Sequence, residues 1–545
     1  MIKQLLAYNL VFLNQVLIVL SLISLSSCSS DKYTHKDHLV FRYNEHRNIS
    51  SLDPAFSKDL ADIWATNQLF NGLVQMDDSL NVKPCIAREW SVGDSAKTYT
   101  FKLRQDVFFH KHMLFGRDST RAVKASDFVY SFNRLNDEKL ASPGAWVMTK
   151  VNNYYAANDS TFVVKLKQPF PGFLGLLTMK YCSVVPKEVV EHFGTDFRSN
   201  PIGTGPFLFK RWEENVKLVL RRNPNYFEKD ENGIALPYLE AIAVTFLPDK
   251  QSEFLQFAQG NIDFVSGLDA SYKDEILTAT GELRPTYLED VNMIRGPYLN
   301  TEYLGFFMES DLSEIQSKRI RKIINLGFDR KKMITYLRNG IGIPANGGFI
   351  PKGLPGHDNS IGYTYNTEEA KRLLEAFKEE TNITNPTVTL TTTSNYLNFC
   401  EYIQRELQKI GLNIIVDVIP ASSLKDLKAN GQLDFFRASW IADYPDAENY
   451  LSLYYSKNFA PGGPNYTHYQ SEKFDALYEQ SYLETNTEQR ANLYTKMDSL
   501  VMHTAPIVPL FYDEVVRFTR KTVKGLGINP TNLLDLKYVS KTESR

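Results

Sequence analysis

Phe399-Cys400-Glu401-Tyr402-Ile403-Gln404-Arg405-Glu406-Leu407-Gln408-Lys409-Ile410-Gly411-Leu412-Asn413-Ile414-Ile415-Val416-Asp417-Val418 changes its period at Gly411. Before that point Phe399, Tyr402, Ile403, Leu407 and Ile410 recur at the spacing of three and four that lines one face of a helix. Gly411 supplies the stop, because a residue without Cβ enters the left-handed conformation that ends helices. Leu412–Val418 follows at once as a strand. A second helix around Leu424 and Leu427 ends near Gly431, and another strand runs through Phe435. A helix between strands carries the chain across a sheet face and back, which brings parallel pairings. The expected fold class is α/β.

Working outward, Tyr99, Phe101 and Leu103 alternate with polar residues as a strand with one buried face. Ser126 reads as the cap of a helix with Phe128, Val129, Phe132 and Leu135 on one stripe, and Phe162, Val164 and Leu166 give a further strand. A chain of 545 residues exceeds one ordinary core, so two or three units are expected. Breaks fall at Pro186, Asn200-Pro201, Arg295-Gly296-Pro297-Tyr298 and Thr504-Ala505-Pro506, as hinges or as surface loops. No internal repeat is present, which argues against a solenoid.

A formal net charge of −2 leaves no global field to favour nucleic acid, and 43% hydrophobic with 23% charged residues is the balance of a soluble globular protein. There is no G-x-S-x-G elbow, H-E-x-x-H helix or phosphate loop. Gly203-Thr204-Gly205 looks like half a dinucleotide fingerprint, but Pro206, Phe207 and Phe209 continue as a strand where a helix must open. His110-Lys111-His112 places two imidazoles on one strand face without neighbouring carboxylates or thiolates, which reads as solvated surface rather than a metal pair. No catalytic residue, metal or cofactor is expected.

At the start of the chain Lys3 precedes an apolar stretch from Leu5 to Leu25, interrupted by Asn9, Asn14 and Gln15. It ends in Leu25-Ser26-Ser27-Cys28, which resembles a bacterial lipobox. On that reading residues 1–27 are a lipoprotein signal peptide and Cys28 becomes a lipidated N-terminus. The plainer alternative is a signal anchor or a buried N-terminal helix. Cys85, Cys182 and Cys400 then remain, enough for one disulfide and one free thiol, with no pair in C-x-x-C spacing.

Five well-separated segments carry a more specific likeness. They are Ser51-Leu52-Asp53-Pro54 with Leu69-Phe70-Asn71-Gly72-Leu73; Ala87-Arg88-Glu89-Trp90 with Tyr99–Arg104 and Ala125–Ser131; Asn200–Pro206 with Arg222-Asn223-Pro224-Asn225-Tyr226; Gly260-Asn261-Ile262-Asp263; and Trp440-Ile441-Ala442-Asp443-Tyr444-Pro445-Asp446. Together they span nearly the whole mature chain. The chain thereby resembles family 5 of the solute-binding proteins of ATP-binding-cassette (ABC) importers, which bind oligopeptides and dipeptides.

The resemblance implies a periplasmic-binding-protein type II fold, two hinged lobes with an extra domain inserted in the first (cluster C). Residues 28–60, 186–300 and 505–545 would form lobe I, residues 61–185 its insert, and residues 301–504 lobe II. Two strands would cross between lobes near Pro297–Tyr303 and Ala505–Phe511. It also implies an extracytoplasmic, non-enzymatic monomer, which the lipobox reading would hold to the membrane by lipid. Such a protein captures short peptides and delivers them to importer permease subunits. Related proteins take nickel complexes, haem or oligosaccharides, and a sensor or chaperone role with a non-transport partner is the different-class alternative.

For the site, the resemblance makes Asp443 the receptor of the peptide α-ammonium, since a buried ammonium needs a carboxylate. Read on its own, Asp443 opens a turn and caps backbone N–H groups. Trp440 would wall the cleft. Arg437 would meet the ligand carboxylate, or form a surface or interlobe salt bridge. Trp146 and Ala145 sit in the loop by which the insert would meet the ligand backbone, although Trp146 suits a core equally well. Ser394 and Tyr396 stand where some relatives offer a further cation, a departure that bears on ligand length. Pro461-Gly462-Gly463-Pro464 would border the cleft, and Leu52-Asp53-Pro54 would shape its entrance.

Overall fold

The computed structural model describes residues 39–543, so Cys28 and the lipobox reading lie outside the described residues. Among the described residues one sheet of eleven strands runs through both lobes. Its backbone is a pair of long antiparallel strands, Val291–Phe306 with 16 residues and Ile507–Arg520 with 14. At about 3.4 Å per residue each is roughly 50 Å long, which is more than one lobe can bury. On one side Val291–Pro297 pairs with Arg520–Glu514, and the sheet continues through Phe264–Ser266, Val40–Asn44 and Ala241–Thr245. On the other, Thr301–Gly305 pairs with Tyr512–Ile507, and the sheet continues through Phe435–Ile441 and Thr387–Thr392. Register slips between Pro297 and Thr301, where proline breaks the ladder.

The helix read in the quoted stretch runs Leu397–Gln408 and buries Cys400, Ile403 and Leu407. The following strand, Asn413–Val418, does not pair with Phe435–Ile441. An earlier strand, Thr387–Thr392, lies between them, parallel to both. Period alone fixes which residues face the core, and strand order is decided by packing elsewhere.

The insert holds a separate four-stranded antiparallel sheet, in the order Ala87–Gly93, Thr98–Leu103, Thr161–Leu166, Val151–Asn158. Helix Ala125–Asn136 packs on it, with Phe132 and Phe162 edge-to-face at 5.3 Å. Ser126 is not its cap. The helix starts two residues earlier, with Lys124 at the cap, because the Asp127 carboxylate accepts the Lys124 N–H at 2.8 Å. Helix Leu60–Leu69 was expected to open the insert. Its Trp64, Ala65 and Leu69 pack instead with Phe41, Tyr43 and Phe264 of the first lobe. The insert's own core is built from Leu73 to Val184, with Ala55 and Tyr444 packed into it from outside that range.

Cys85, Cys182 and Cys400 are free and buried, so the allowed disulfide is absent; each packs as a small apolar side chain. The Gly203-Thr204-Gly205 motif serves close approach: a Cβ on either glycine would strike the backbone of Leu69. His110 is buried against the same segment, with Nε2 3.0 Å from the Gly205 carbonyl. Among the described residues no helix is long and apolar enough to cross a membrane.

Candidate functional site

A cavity of about 410 Å³ opens between the lobes at the slipped register, and Tyr298 of the first crossing strand forms part of its wall. One wall is helix Leu60–Leu69. Leu60, Ile63 and Asn67, at i, i+3 and i+7, face the cavity, while Trp64 and Gln68 are buried behind. Trp146, Lys180 and Tyr181 come from the insert, and Ala442, Asp443 and Pro445 from lobe II. Leu533, Asp535 and Lys537 arrive from the C-terminal segment.

Asp443 follows the strand Phe435–Ile441 and is held by Asn449. The Asn449 Oδ1 accepts the Trp440 indole N–H at 2.8 Å and the Asp443 backbone N–H at 3.2 Å, and its amide nitrogen donates to Asp443 Oδ2 at 3.4 Å. By area Asp443 is exposed, because it faces the cavity. Protein nevertheless surrounds it closely enough that lost hydration raises its pKa, with Glu448 adding to the effect and Asn449 opposing it. Among the described residues no cationic side chain lies within ion-pair distance of this carboxylate. Trp440 does not line the cavity; it acts on Asp443 through Asn449.

Trp146 lines the wall beside Tyr181. The loop that carries it is pinned where Ser142 Oγ donates to the Ala55 carbonyl at 2.6 Å. Gly144 permits the approach, since a Cβ there would sit 2.5 Å from the Tyr181 ring. Ala145 is exposed and does not line the cavity.

Arg437 is committed elsewhere. Its guanidinium forms an ion pair with buried Glu302 of the crossing strand and lies 3.1 Å over the Tyr396 ring. Tyr396 donates to Glu302 at 3.5 Å. Arg437, Tyr396 and exposed Ser394 are absent from the cavity wall, as is the Pro461–Pro464 loop. Asp53 also works inside the fold: it receives Arg134 at 2.5 Å and joins lobe I to the insert.

Sequence reading missed the cationic wall. Lys537 is buried and fully engaged, 2.7 Å from Glu228 and 2.7 Å from Gln75. Its segment carries no motif, because backbone carbonyls place it. Trp64, Asn67 and Gln68 donate to Asn532 and Leu534, and buried Arg517 donates to Gly527, Asn532 and Leu533. Lys180 is the second cation, and burial lowers its pKa to about 8.

The site thus places a carboxylate without a cationic partner among the described residues on one lobe, lysines on the other and aromatic walls between. The chain matches the model of the bacterial extracellular solute-binding proteins, family 5 middle region, over residues 81–461. It is 26% identical over 496 residues to a probable di/tripeptide-binding protein of Pseudomonas aeruginosa, covering 87% of this chain and 90% of that one. It is also 26% identical to the periplasmic oligopeptide-binding protein of Salmonella typhimurium, covering 91% and 92%. Among solved structures, HbpA2 from Haemophilus parasuis superposes with a TM-score of 0.80 at 22% identity, over 92% of this chain and 100% of that one. That likeness is one of fold.

Proposed function

Because the chain belongs to the bacterial extracellular solute-binding proteins of family 5, which are non-enzymatic transport binding proteins, we propose that it captures short peptides between its lobes and hands them to an ABC importer. The observation that carries this reading is Asp443, a carboxylate facing an interlobe cavity, with its pKa raised by the surrounding protein and without a cationic partner among the described residues. A peptide α-ammonium supplies the missing charge, and Trp146 and Tyr181 give apolar surface that tolerates varied side chains. The named specificities of the Pseudomonas and Salmonella relatives support the same cargo. A ligand that touches both lobes favours the conformation in which they meet, and the importer reads that conformation.

We place Cys28 at the membrane through lipid, on the lipobox pattern alone. The intact mass of the mature protein, with and without Cys28→Ala, checks this.

The test of cargo is calorimetry of the purified protein with free di- and tripeptides, their N-acetyl forms, and oligosaccharides. Peptides with a free amino terminus should bind, and N-acetylation or Asp443→Asn should weaken binding at least tenfold. Tight binding of a sugar, or indifference to acetylation, would overturn the peptide reading.

A further inference from the structure

Among the described residues, lobe II lends the cavity wall no cationic side chain to meet the anionic end of a ligand. Arg437, the arginine nearest Asp443 in sequence, spends its charge on Glu302 and does not reach the cavity. Three lysines line the cavity: Lys58, Lys180 and Lys537. Lys537 is matched by Glu228 at 2.7 Å and Asp535 at 3.6 Å, and Lys58 sits at the exposed rim. Lys180 differs from both. Its Nζ donates to Asn67 Oδ1 at 2.7 Å, and no carboxylate lies within ion-pair distance of it among the described residues. An ammonium carries three N–H donors, so two of them are left for a ligand.

The fold holds Lys180 in place. It opens the short helical turn Lys180–Cys182, whose next residue, Tyr181, lines the same wall. Asn67 is fixed in turn, because its amide nitrogen donates to the Leu534 carbonyl at 2.9 Å, leaving Oδ1 directed at Lys180. Tyr181 lies within electrostatic reach of Asp443, which helps push its pKa up to about 12 after the larger effect of burial. Lys180 is therefore one residue from a side chain that senses the opposite charge across the cavity. A volume of about 410 Å³ is near the lower end for small-molecule sites.

We propose that Lys180 receives the ligand's carboxylate, so that Asp443 on lobe II and Lys180 on the insert together select short zwitterions, peptides of two or three residues with both termini free. This deepens the peptide reading and rests on it. The pairing also explains how recognition is coupled to lobe contact: each charge belongs to a different rigid part, and only a ligand long enough to bridge them satisfies both. A peptide whose carboxylate lies beyond the cavity leaves the Lys180 donors unmet, which is a penalty against longer cargo.

The experiment is calorimetry of wild type, Lys180→Gln, Lys180→Arg and Asp443→Asn with alanyl peptides of two to five residues. Each peptide is offered as free acid, as C-terminal amide and as N-acetyl acid. Wild type should prefer the acid of the di- or tripeptide over its amide at least tenfold. Lys180→Gln should lose that preference while keeping the preference for a free amino terminus, and Lys180→Arg should restore it in part. Asp443→Asn should show the converse pattern, which separates the two charges and guards against a general folding defect. If wild type binds acids and amides alike, or Lys180→Gln still discriminates between them, the role of Lys180 is overturned while the peptide reading stands. If wild type binds none of these peptides, both fall.

Discussion

The ring of Tyr444 stands 5.9 Å from that of Phe170 at an interplanar angle of 87°, an edge-to-face contact between lobe II and the insert. Tyr444 is 6% exposed and belongs to the insert's core rather than to its own lobe's. It also directly follows Asp443 in the chain, so whatever moves the cavity carboxylate moves this contact. Around it Phe170 stacks on Tyr482 at 5.5 Å, and Lys150 lies 5.3 Å over both rings. The ring of Tyr444 and the charge of Asp443 thus act as one element that reports on lobe contact.

Tyr444→Ala should therefore separate the lobes. Aromatic pairs of this geometry contribute about 0.5–1.5 kcal/mol beyond their buried area. Ligand affinity should fall roughly two- to tenfold or more, and the ligand-free protein should show a larger radius of gyration by small-angle scattering. Tyr444→Phe keeps the ring and loses only the hydroxyl that donates to Glu448, so it should leave the radius unchanged. Equal compaction of wild type and the Ala variant would show that the contact does not hold the lobes.

Arg437 and Glu302 make a different prediction. Their side chains are 12% and 5% exposed, so removing one partner leaves the other buried and unmatched. Arg437→Met should destabilise the fold by about 3–5 kcal/mol. Adding Glu302→Gln should recover much of that loss, as read by denaturant unfolding. Affinity for peptide acids over amides should be unchanged in the double variant, whereas a ligand-binding Arg437 would lose that discrimination.

These two pairs show where sequence reading reaches and where it stops. Helix Leu397–Gln408 and strand Thr98–Leu103 are legible because burial of one face imposes a period on neighbouring residues. The segment around Asp443 is legible because its residues and the clamp Asn449 are close in sequence. Lys180 is not, since nothing near it signals that Asn67, over a hundred residues away, will hold its ammonium. The position of Lys537 depends likewise on side chains that bind backbone carbonyls, and a carbonyl leaves no trace in residue identity. Arg437 has the residue type expected for a carboxylate receptor. Only the register Leu304 to Arg437 between strands puts Glu302 within its reach.

Glu45 should dominate part of the stability–pH profile. Burial pushes its pKa up to about 8, with Glu253 raising it further and Lys250 opposing. Between the unfolded value near ~4.3 and the folded value, the folded chain holds a proton that the unfolded chain has released. Stability therefore falls as pH rises through that window. Glu45→Gln should flatten this fall and raise the thermal midpoint most at pH 8, with little change at pH 4. A parallel shift at both pH values would assign the effect to packing rather than to the proton.

Asp443 should link stability and binding with opposite signs. Its raised pKa means that the folded protein keeps this proton above the unfolded range near ~3.9, so the ionised carboxylate works against folding at neutral pH. Asp443→Asn should raise the thermal midpoint of the ligand-free protein at pH 7 and leave it unchanged near pH 3. A cationic ligand needs the ionised form. Affinity for a peptide with a free amino terminus should thus weaken as pH falls through the raised pKa, a dependence that Asp443→Asn or N-acetylation of the peptide abolishes. The same variant separates the two roles that a turn-forming aspartate can have. If Asp443 merely caps its loop, replacing it lowers the midpoint at pH 7 and leaves the pH dependence of binding in place. If it awaits an ammonium, the protein without ligand becomes more stable as binding is lost.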